Sequence, residues 1–332
     1  MHITVVTITN RKRWHLLHQT LTAAFAEGID RAVVIDNAAD EDIATKMRES
    51  FRGAHRTIRL EKNQGPAGAY FTGIGAALDD GAEYLLLLDD DNLLKPGAVH
   101  ALKSAYQAQL ANCSHSGLCV SAYRPEQEWI RGDRPNSAMP SPNRYLGFHL
   151  KDLALGIWRR RPGAERHRQR TQVTQPFRRA IAPWGGLLFH RALIERFGYP
   201  NPEFVLYWED IEFTMRVTCA GGEIWVIPAA RIDDLESSWT KDSRRIPYVH
   251  TLIHRGSDEQ VYYQVRNRAY LETRRGARSW IRQINRRIFF ARLRAVASRA
   301  GRIDRLKLVT NAVRDGEKGK LGLWTPPATR DS

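Results

Sequence analysis

Tyr84-Leu85-Leu86-Leu87-Leu88-Asp89-Asp90-Asp91-Asn92 is the stretch on which the reading of the chain turns. Its five apolar residues are too few for a typical helix, and with Gly81 before them and Pro96-Gly97 after them they read as a buried strand. A buried parallel strand opens at its carboxyl end onto the crevice where open α/β sheets take their ligands. The two-residue period of the strand aims Asp89 and Asp91 the same way. Two hard oxygen ligands side by side suit Mg2+ or Mn2+ bridging to phosphate. The other reading is a solvated acidic turn that caps the next helix, and the stretch alone leaves both open.

Working outward from it, Ile3 to Thr9 reads as a first strand, and Leu16, Leu17, Leu21, Ala24 and Phe25 recur at helical spacing up to Gly28. A second strand, Ala32 to Ile35, ends in Asp36-Asn37; a helix from Glu41 to Ser50 and a third strand, Thr57 to Leu60, follow. Asn63-Gln64-Gly65-Pro66-Ala67-Gly68 is a turn feeding a small-residue helix to Leu78, and then the leucine strand arrives. Strands alternating with helices at this spacing predict a mainly parallel sheet with right-handed crossovers and helices on both faces. A helix from Lys95 to Tyr106 and a strand from Gly117 to Tyr123 come next. The segment from Arg124 to Arg179, rich in Pro, Arg and Trp, reads as strands and loops. Arg159-Arg160-Arg161 and Arg178-Arg179 within it read as solvated charge or as a grip on phosphate.

At 332 residues, with 42% hydrophobic and 26% charged residues, the chain has the makings of a folded core and is not a disordered one. No apolar run approaches the ~18 residues of a membrane span. Met1-His2-Ile3-Thr4-Val5-Val6 enters a strand pattern at once, with no basic segment or cleavage site, so no signal peptide is expected and a cytoplasmic location is the default. Cys113, Cys119 and Cys219 have no metal-like clustering and receive no role. The net charge of +15 is uneven: thirteen arginines stand between Arg266 and Arg305 against only Glu272 and Asp304. A basic surplus of this kind points to an anionic partner such as nucleic acid, a membrane surface or a phosphorylated substrate.

Thr7-x-x-Asn10-Arg11 on the first strand, Asp36-Asn37 ending the second, the Asn63-x-Gly65-x-Ala67-Gly68 turn and the leucine strand ending in Asp89-Asp90-Asp91 together resemble the donor half of family 2 glycosyltransferases of the GT-A fold. Each fragment is weak alone; four in order within 91 residues are not. A Rossmann dehydrogenase or a P-loop enzyme fits less well, because neither Gly-x-Gly-x-x-Gly after the first strand nor Gly-x-x-x-x-Gly-Lys-Ser/Thr occurs. The resemblance implies that Thr7, Arg11, Asp36, Asn63, Gly65, Gly68, Asp89 and Asp90 hold the nucleotide, and that Asp89 and Asp91 hold Mg2+ or Mn2+ against its diphosphate.

Gly198-Tyr-Pro-x-Pro-x-Phe204 followed by Trp208-Glu209-Asp210-x-Glu212-Phe213-x-x-Arg216 carries the second signal. Taken alone, Glu209, Asp210 and Glu212 could simply cap a helix, whose dipole favours acids in its first turn. In context the run is similar to the acceptor-side motif of the galactofuranosyl- and rhamnosyltransferase-like branch. There the second acid of the pair is the general base, which implies Asp210 for that role with Glu209 beside it. A carboxylate at a helix start is expected to stay ionised near pH 7, as a base must. Trp184-Gly185-Gly186, with Trp208, matches where such enzymes offer an aromatic platform to the acceptor, although Trp184 reads equally as a core residue. The branch often has a His after the Pro that follows the next strand; after Pro228 this chain has Ala229-Ala230-Arg231-Ile232-Asp233-Asp234 instead. Asp233 or Asp234, or His250 or His254, could take that third metal position.

Tyr262-Tyr263-x-x-Arg266-Asn267 and Asp315-Gly316-x-x-Gly319-x-x-Gly322 resemble the closing motifs of the same branch. Between them Trp280, Ile281, Ile284, Ile288, Phe289, Leu293 and Val296 recur near helical spacing among arginines. That pattern suits an anionic lipid surface or a helix packed on the core. The expectation is therefore a catalytic domain over 1–270, with a donor half 1–110 and an acceptor half 111–270, and a basic helical region over 271–332. The resemblance implies an inverting, metal-dependent glycosyltransferase of cell-surface polysaccharide synthesis. Its donor would be a nucleotide-diphosphate sugar of the UDP-galactofuranose or dTDP-rhamnose type, and its acceptor a glycan or a polyprenyl-linked glycan. It would be cytoplasmic and peripheral at the inner face of the membrane, with no nucleic acid partner. The alternatives are a nucleic-acid- or anionic-surface-binding protein using the arginine-rich tail, disfavoured by the lack of any nucleic-acid-binding motif, and a nucleotidyltransferase.

Overall fold

A computed structural model describes residues 1–51, 53, 55–125, 143–151, 173–236, 247–275 and 279–326. Its contacts divide the chain into two compact units, Met1–Met139 with Val173–Val205 and Glu209–Glu236, and Pro140–Gln172 with Leu206–Trp208 and Ser237–Ser332. The segment containing Arg159-Arg160-Arg161 lies outside the described residues.

The first unit is a sheet of nine described strands: β1 (Ile3–Thr9), β2 (Arg31–Asp36), β3 (His55–Arg59), β4 (Tyr84–Asp89), β5 (Asn92–Leu94), β6 (Leu118–Tyr123), β7 (Phe177–Arg179), β8 (Leu187–His190) and β9 (Glu223–Asp234). Their order is β3-β2-β1-β4-β8-β6-β9-β5, with β7 also on β9. Strands β3, β2, β1 and β4 are mutually parallel, as the alternation of strands and helices requires, whereas β8 runs antiparallel to both β4 and β6.

The leucine strand shows why the sheet is two-faced. Leu86 and Leu88 join Val5 and Val34 in a core roofed by α1 (Trp14–Ala26), α2 (Ile43–Ser50) and α4 (Ala98–Gln109). Leu85 and Leu87 join Val6, Val33 and Ile35 in a second core under α3 (Gly65–Asp79), α5 (Ala192–Phe197) and α6 (Glu209–Cys219). Side chains that alternate along a strand enclosed on both faces have to be apolar at every position, hence the unbroken Leu run. This arrangement is the expected α/β architecture with helices on both faces.

Two elements depart from the sequence reading. Asn92–Leu94 is a short strand, pairing antiparallel with Asp234, Asp233 and Ile232, where only a turn was expected. Strand β9 also continues through Pro228 to Asp234. It can do so because its pairing with β6 slips there, from Ala122 opposite Ile227 to Tyr123 opposite Arg231, so the proline sits in the irregularity and forfeits no ladder bond.

The second unit contains α7 (Tyr248–His254), α8 (Asp258–Arg275), α9 (Trp280–Arg299) and α10 (Ile303–Glu317). The closing motifs are packing devices here. Tyr262 Oη donates to Asp315 Oδ2 at 2.8 Å, and a Cβ on Gly316 would stand 2.2 Å from the Arg266 carbonyl oxygen, so glycine is what lets α10 approach α8. Within the apolar stripe of α9, Phe289 and Leu293 are buried, with Phe289 against Tyr145, while Trp280 is 72% exposed and Ile284 is also exposed.

Candidate active site

The three aspartates after β4 have different duties. Asp90 is buried, accepts from Thr9 Oγ1 at 2.8 Å and is gripped by Arg13 through Nε at 2.9 Å and Nη2 at 2.7 Å. Arg13 also bonds Glu236. Asp90 thus anchors the turn, with both oxygens accepting hydrogen bonds from within the chain. Asp89 accepts from Tyr70 Oη at 3.1 Å, and its own backbone N–H donates to Asn92 Oδ1 at 2.9 Å. Asp91 Oδ1 accepts from Asn92 Nδ2 at 3.1 Å. Arg13 Nη2 also lies 3.8 Å from Asp91 Oδ2, so the same guanidinium borders Asp90 and Asp91, while Asp89 meets Tyr70.

Burial, and to a smaller degree its carboxylate neighbours Asp90 and Asp234, pushes Asp89 up to about 6 against the pull of Arg124. Burial together with Asp89, Asp90 and Asp234 pushes Asp91 up to about 7. Buried carboxylates grouped in this way gain from a nearby cation, and hard oxygen donors fit Mg2+ or Mn2+. Among the described residues no three His, Cys, Asp or Glu side chains close into a metal shell. The chain would therefore contribute the pair Asp89 and Asp91, leaving further positions to phosphate oxygens and water, as Mg2+ in particular prefers. The four candidates for a third ligand have other contacts: Asp233 pairs with Lys95 Nζ at 2.5 Å. Asp234 Oδ1 accepts from Arg124 Nε at 2.9 Å and from Asn92 Nδ2 at 3.3 Å, while His250 belongs to the second unit, where its ring stacks on His254.

On the nucleotide side, Thr7 is buried with Oγ1 unpartnered, and Arg11 is exposed with φ +52° just after β1. Asp36 is buried, accepting from the Ala39 N–H at 2.7 Å and from Arg59 Nη1 at 2.6 Å. As placed, it fastens the loop and Arg59. Asn63 is exposed and organises the turn: its Oδ1 accepts from the Gly65 N–H at 2.8 Å and Asn37 Nδ2 at 3.0 Å. Gly65 has φ +72°, and a Cβ there would lie 2.1 Å from the Val205 carbonyl oxygen, the same oxygen that accepts from the Ala67 N–H at 3.2 Å. A Cβ on Gly68 would likewise crowd the Gln64 side chain.

The backbone leading into α6 is strained. Val205, Tyr207 and Trp208 all have positive φ, at 63°, 64° and 70°, a region that costs non-glycine residues on the order of 1–3 kcal/mol each. Nothing in the motif announced this. Trp208 lies in the second unit, where the Arg268 guanidinium sits 5.0 Å over its ring and Asn267 Nδ2 donates to the Leu206 and Tyr207 carbonyls at 2.9 and 2.7 Å.

Glu209 and Asp210 open α6. The helix start does not hold their carboxyls low. Burial, then Asp210 and Asp89, drive Glu209 well above the ordinary range, and its Oε2 is buried without a partner. Burial raises Asp210 to about 6, against the Ile211 N–H that donates to its Oδ1 at 2.7 Å and the positive charge of Arg124. Burial thus pushes Glu209 toward its protonated form, while Asp210 at about 6 is mostly ionised at pH 7, as expected of a base. The influence of Asp89 on Glu209 and of Arg124 on Asp210 places the α6 acids in the same electrostatic neighbourhood as the β4 turn.

Trp184 is not a platform. Its side chain belongs to the core under α3, with the residue 3% exposed and its ring edge-on to Tyr70 at 4.6 Å, so it presents no face to a sugar. Gly185 and Gly186 earn their place differently: a Cβ on Gly185 would meet Asn92 Oδ1 at 2.0 Å and Arg124 Nη2 at 2.1 Å, and one on Gly186 would meet Ala122 Cβ at 2.7 Å. Arg178 and Arg179 lie in β7, Arg178 paired with Glu223 at 2.6 Å and Arg179 buried. Arg13, Asn92, Tyr70 and Arg124 are the residues the sequence reading missed.

Residues 4–153 match the family model of glycosyl transferase family 2. Sheet order, two-faced core and acidic strand end define a protein of the GT-A fold. No curated protein matches the chain significantly. Among solved structures, GalNAc-T7 with UDP, GalNAc and Mn2+ is similar at TM-score 0.53 and 15% identity; the match covers 88% of this chain and 55% of that one, so the chain spans about half its length. Residues 1–349 of S. aureus TarS align over 96% of this chain and 92% of that chain, at 14% identity and TM-score 0.45. The same TarS fragment in complex with UDP-GlcNAc gives 13% identity and TM-score 0.47, over 96% and 93% of the two chains. No helix among the described residues is long and apolar enough to cross a membrane.

Proposed function

We propose that this protein is an inverting glycosyltransferase that moves a sugar from a nucleotide-diphosphate donor to a glycan or polyprenyl-linked acceptor, with residues 1–270 as its catalytic domain. The observation that carries the reading is one electrostatic neighbourhood holding both halves of the chemistry: the carboxylates Asp89 and Asp91 at the end of β4, and an acid at the start of α6 raised to about 6. Mg2+ or Mn2+ between Asp89 and Asp91 would offset the charge that develops on the departing diphosphate. Asp210 takes the proton of the acceptor hydroxyl as its oxygen attacks the anomeric carbon. The sugar–phosphate bond breaks on the opposite side, and the configuration inverts. Glu209, whose burial favours its protonated form, stands beside the base. That GalNAc-T7 is solved with UDP and Mn2+ makes UDP-sugars the first donors to try. Motif resemblance adds UDP-galactofuranose and dTDP-rhamnose.

The acceptor reading includes a membrane surface. Trp280 and Ile284 protrude from α9, and Arg287 and Arg294 are exposed further along it. An exposed Trp beside arginines suits the interface of an anionic bilayer at the cytoplasmic face. Cosedimentation with liposomes containing anionic lipid tests this: wild type is expected to bind and Trp280→Ser/Ile284→Ser to lose most binding, whereas equal binding by both removes the surface. The catalytic reading is tested by nucleotide release from a panel of nucleotide sugars with Mn2+ and with chelator.

A further inference from the structure

Arg124, directly after β6, touches three separate parts of the site. Its guanidinium is 3% exposed, and all its nitrogens are directed. Nε donates to Asp234 Oδ1 at 2.9 Å, Nη2 donates to Asn92 Oδ1 at 2.9 Å, and Nη1 donates to the Gly185 carbonyl. Asn92, itself buried, passes the constraint on: its Oδ1 accepts the Asp89 N–H, and its Nδ2 reaches Asp91 Oδ1 at 3.1 Å and Asp234 Oδ1 at 3.3 Å. Gly185 leaves the room, because any Cβ there would occupy the place of the guanidinium and of Asn92 Oδ1. A charge taken so far out of water is costly unless its hydrogen bonds and counter-charge are complete, and here they are. Its field also reaches Asp89 and Asp210, drawing both downward.

We propose that Arg124 is a positioning residue, a fixed internal cation that sets the Asp89–Asp91 turn through Asn92 and holds Asp234 as its own counter-ion, outside the metal shell. The inference rests on the glycosyltransferase reading. It divides the work of positive charge between the chain and the metal: the guanidinium orients, and the exchangeable ion meets the diphosphate. It also assigns Asp234 a purpose other than ligation. Lysine cannot replace the arginine, since an ammonium cannot make the three-way fork in one plane.

The test uses the full chain and two readouts, Mn2+ binding in the presence of UDP, followed by the EPR signal of free Mn2+, and steady-state sugar transfer. Wild type is expected to bind Mn2+; if it neither binds Mn2+ nor transfers, the glycosyltransferase reading falls and this inference with it. Asp234→Asn keeps an acceptor for Arg124 and is expected to bind Mn2+ within about fivefold of wild type, since a lost ligand would weaken binding by far more. Arg124→Met removes a positive charge from among carboxylates, so Mn2+ binding is expected to stay level or tighten while kcat falls at least about 100-fold. Should Arg124→Met fail to fold, Arg124→Lys decides: charge kept, fork lost, Mn2+ binding unchanged and kcat down more than about tenfold. A wild type that binds Mn2+ beside an Asp234→Asn that does not would overturn the counter-ion assignment. The positioning role is overturned by an Arg124 variant with unchanged kcat, or by one whose Mn2+ binding and transfer fall together.

Discussion

Replacing Asp210 with Asn should make the protein more stable at alkaline pH while stopping it from working. Burial raises the Asp210 carboxyl from 3.8 to about 6. A raised carboxylate pKa means that the fold prefers the protonated form. Stability from this group is fully present below the unfolded value and is lost as pH rises through about 6. Above that, the penalty for holding the charge reaches at most roughly 3 kcal/mol, and about 1 kcal/mol of it is already present at pH 4.5. Asparagine carries no charge and keeps an oxygen for the Ile211 N–H. Asp210→Asn is thus expected to melt about 5 °C above wild type at pH 8, with the gap shrinking toward nothing near pH 4. Sugar transfer should fall by a factor on the order of 10²–10⁴, the usual contribution of a general base. Melting curves at pH 4.5 and 8 and a transfer assay at pH 8 measure both. An Asp210→Asn that is less stable than wild type at pH 8, or that transfers within a factor of a few, would refute the reasoning.

In wild type, kcat/KM should rise with pH through about 6 as Asp210 loses its proton, and a flat profile from pH 5 to 8 would contradict its role. Gly185→Ala puts a methyl within 2.0 Å of Asn92 Oδ1 and 2.1 Å of Arg124 Nη2, and should abolish transfer with a loss of roughly 2–4 kcal/mol in urea unfolding. Trp184→Phe removes a buried indole whose Nε1 has no partner, and should cost about 1–3 kcal/mol of stability while leaving the acceptor KM unchanged. A raised KM with intact stability would restore the platform that the burial of Trp184 argues against.

Local pattern carried the fold. The period-two leucines, the glycine turn at Gly65 and the acidic strand end each reflect neighbours in sequence, and the sheet assembled from them is the one expected. The site was legible in residue type but less so in duty. Nothing local distinguishes Asp90 from Asp89 and Asp91; Arg13, reaching across from the end of β1, makes Asp90 an anchor. Asp36 is occupied for the same kind of reason, by Arg59 on the neighbouring strand. Trp184 beside two glycines looks like a platform until Tyr70 closes over it. Arg124 sits at the head of a segment with weak periodicity and was passed over as loop, since its partners Asn92, Gly185 and Asp234 lie 32 to 110 residues away. Helix-dipole reasoning anticipated an ionised Asp210 but not its upward shift to about 6, because burial, which no local motif encodes, opposes the dipole.

The central claim is that the β4 carboxylates and Asp210 serve sugar transfer from a nucleotide-diphosphate donor. Nucleotide release from a panel of UDP-GlcNAc, UDP-galactofuranose, dTDP-rhamnose and related donors, with a glycan acceptor, measures it most directly. The account predicts that one donor releases its nucleotide in step with glycoside formation, with inverted configuration, in Mn2+ or Mg2+ and not in chelator. Release of pyrophosphate from a nucleoside triphosphate, or turnover unaffected by chelator, would contradict it.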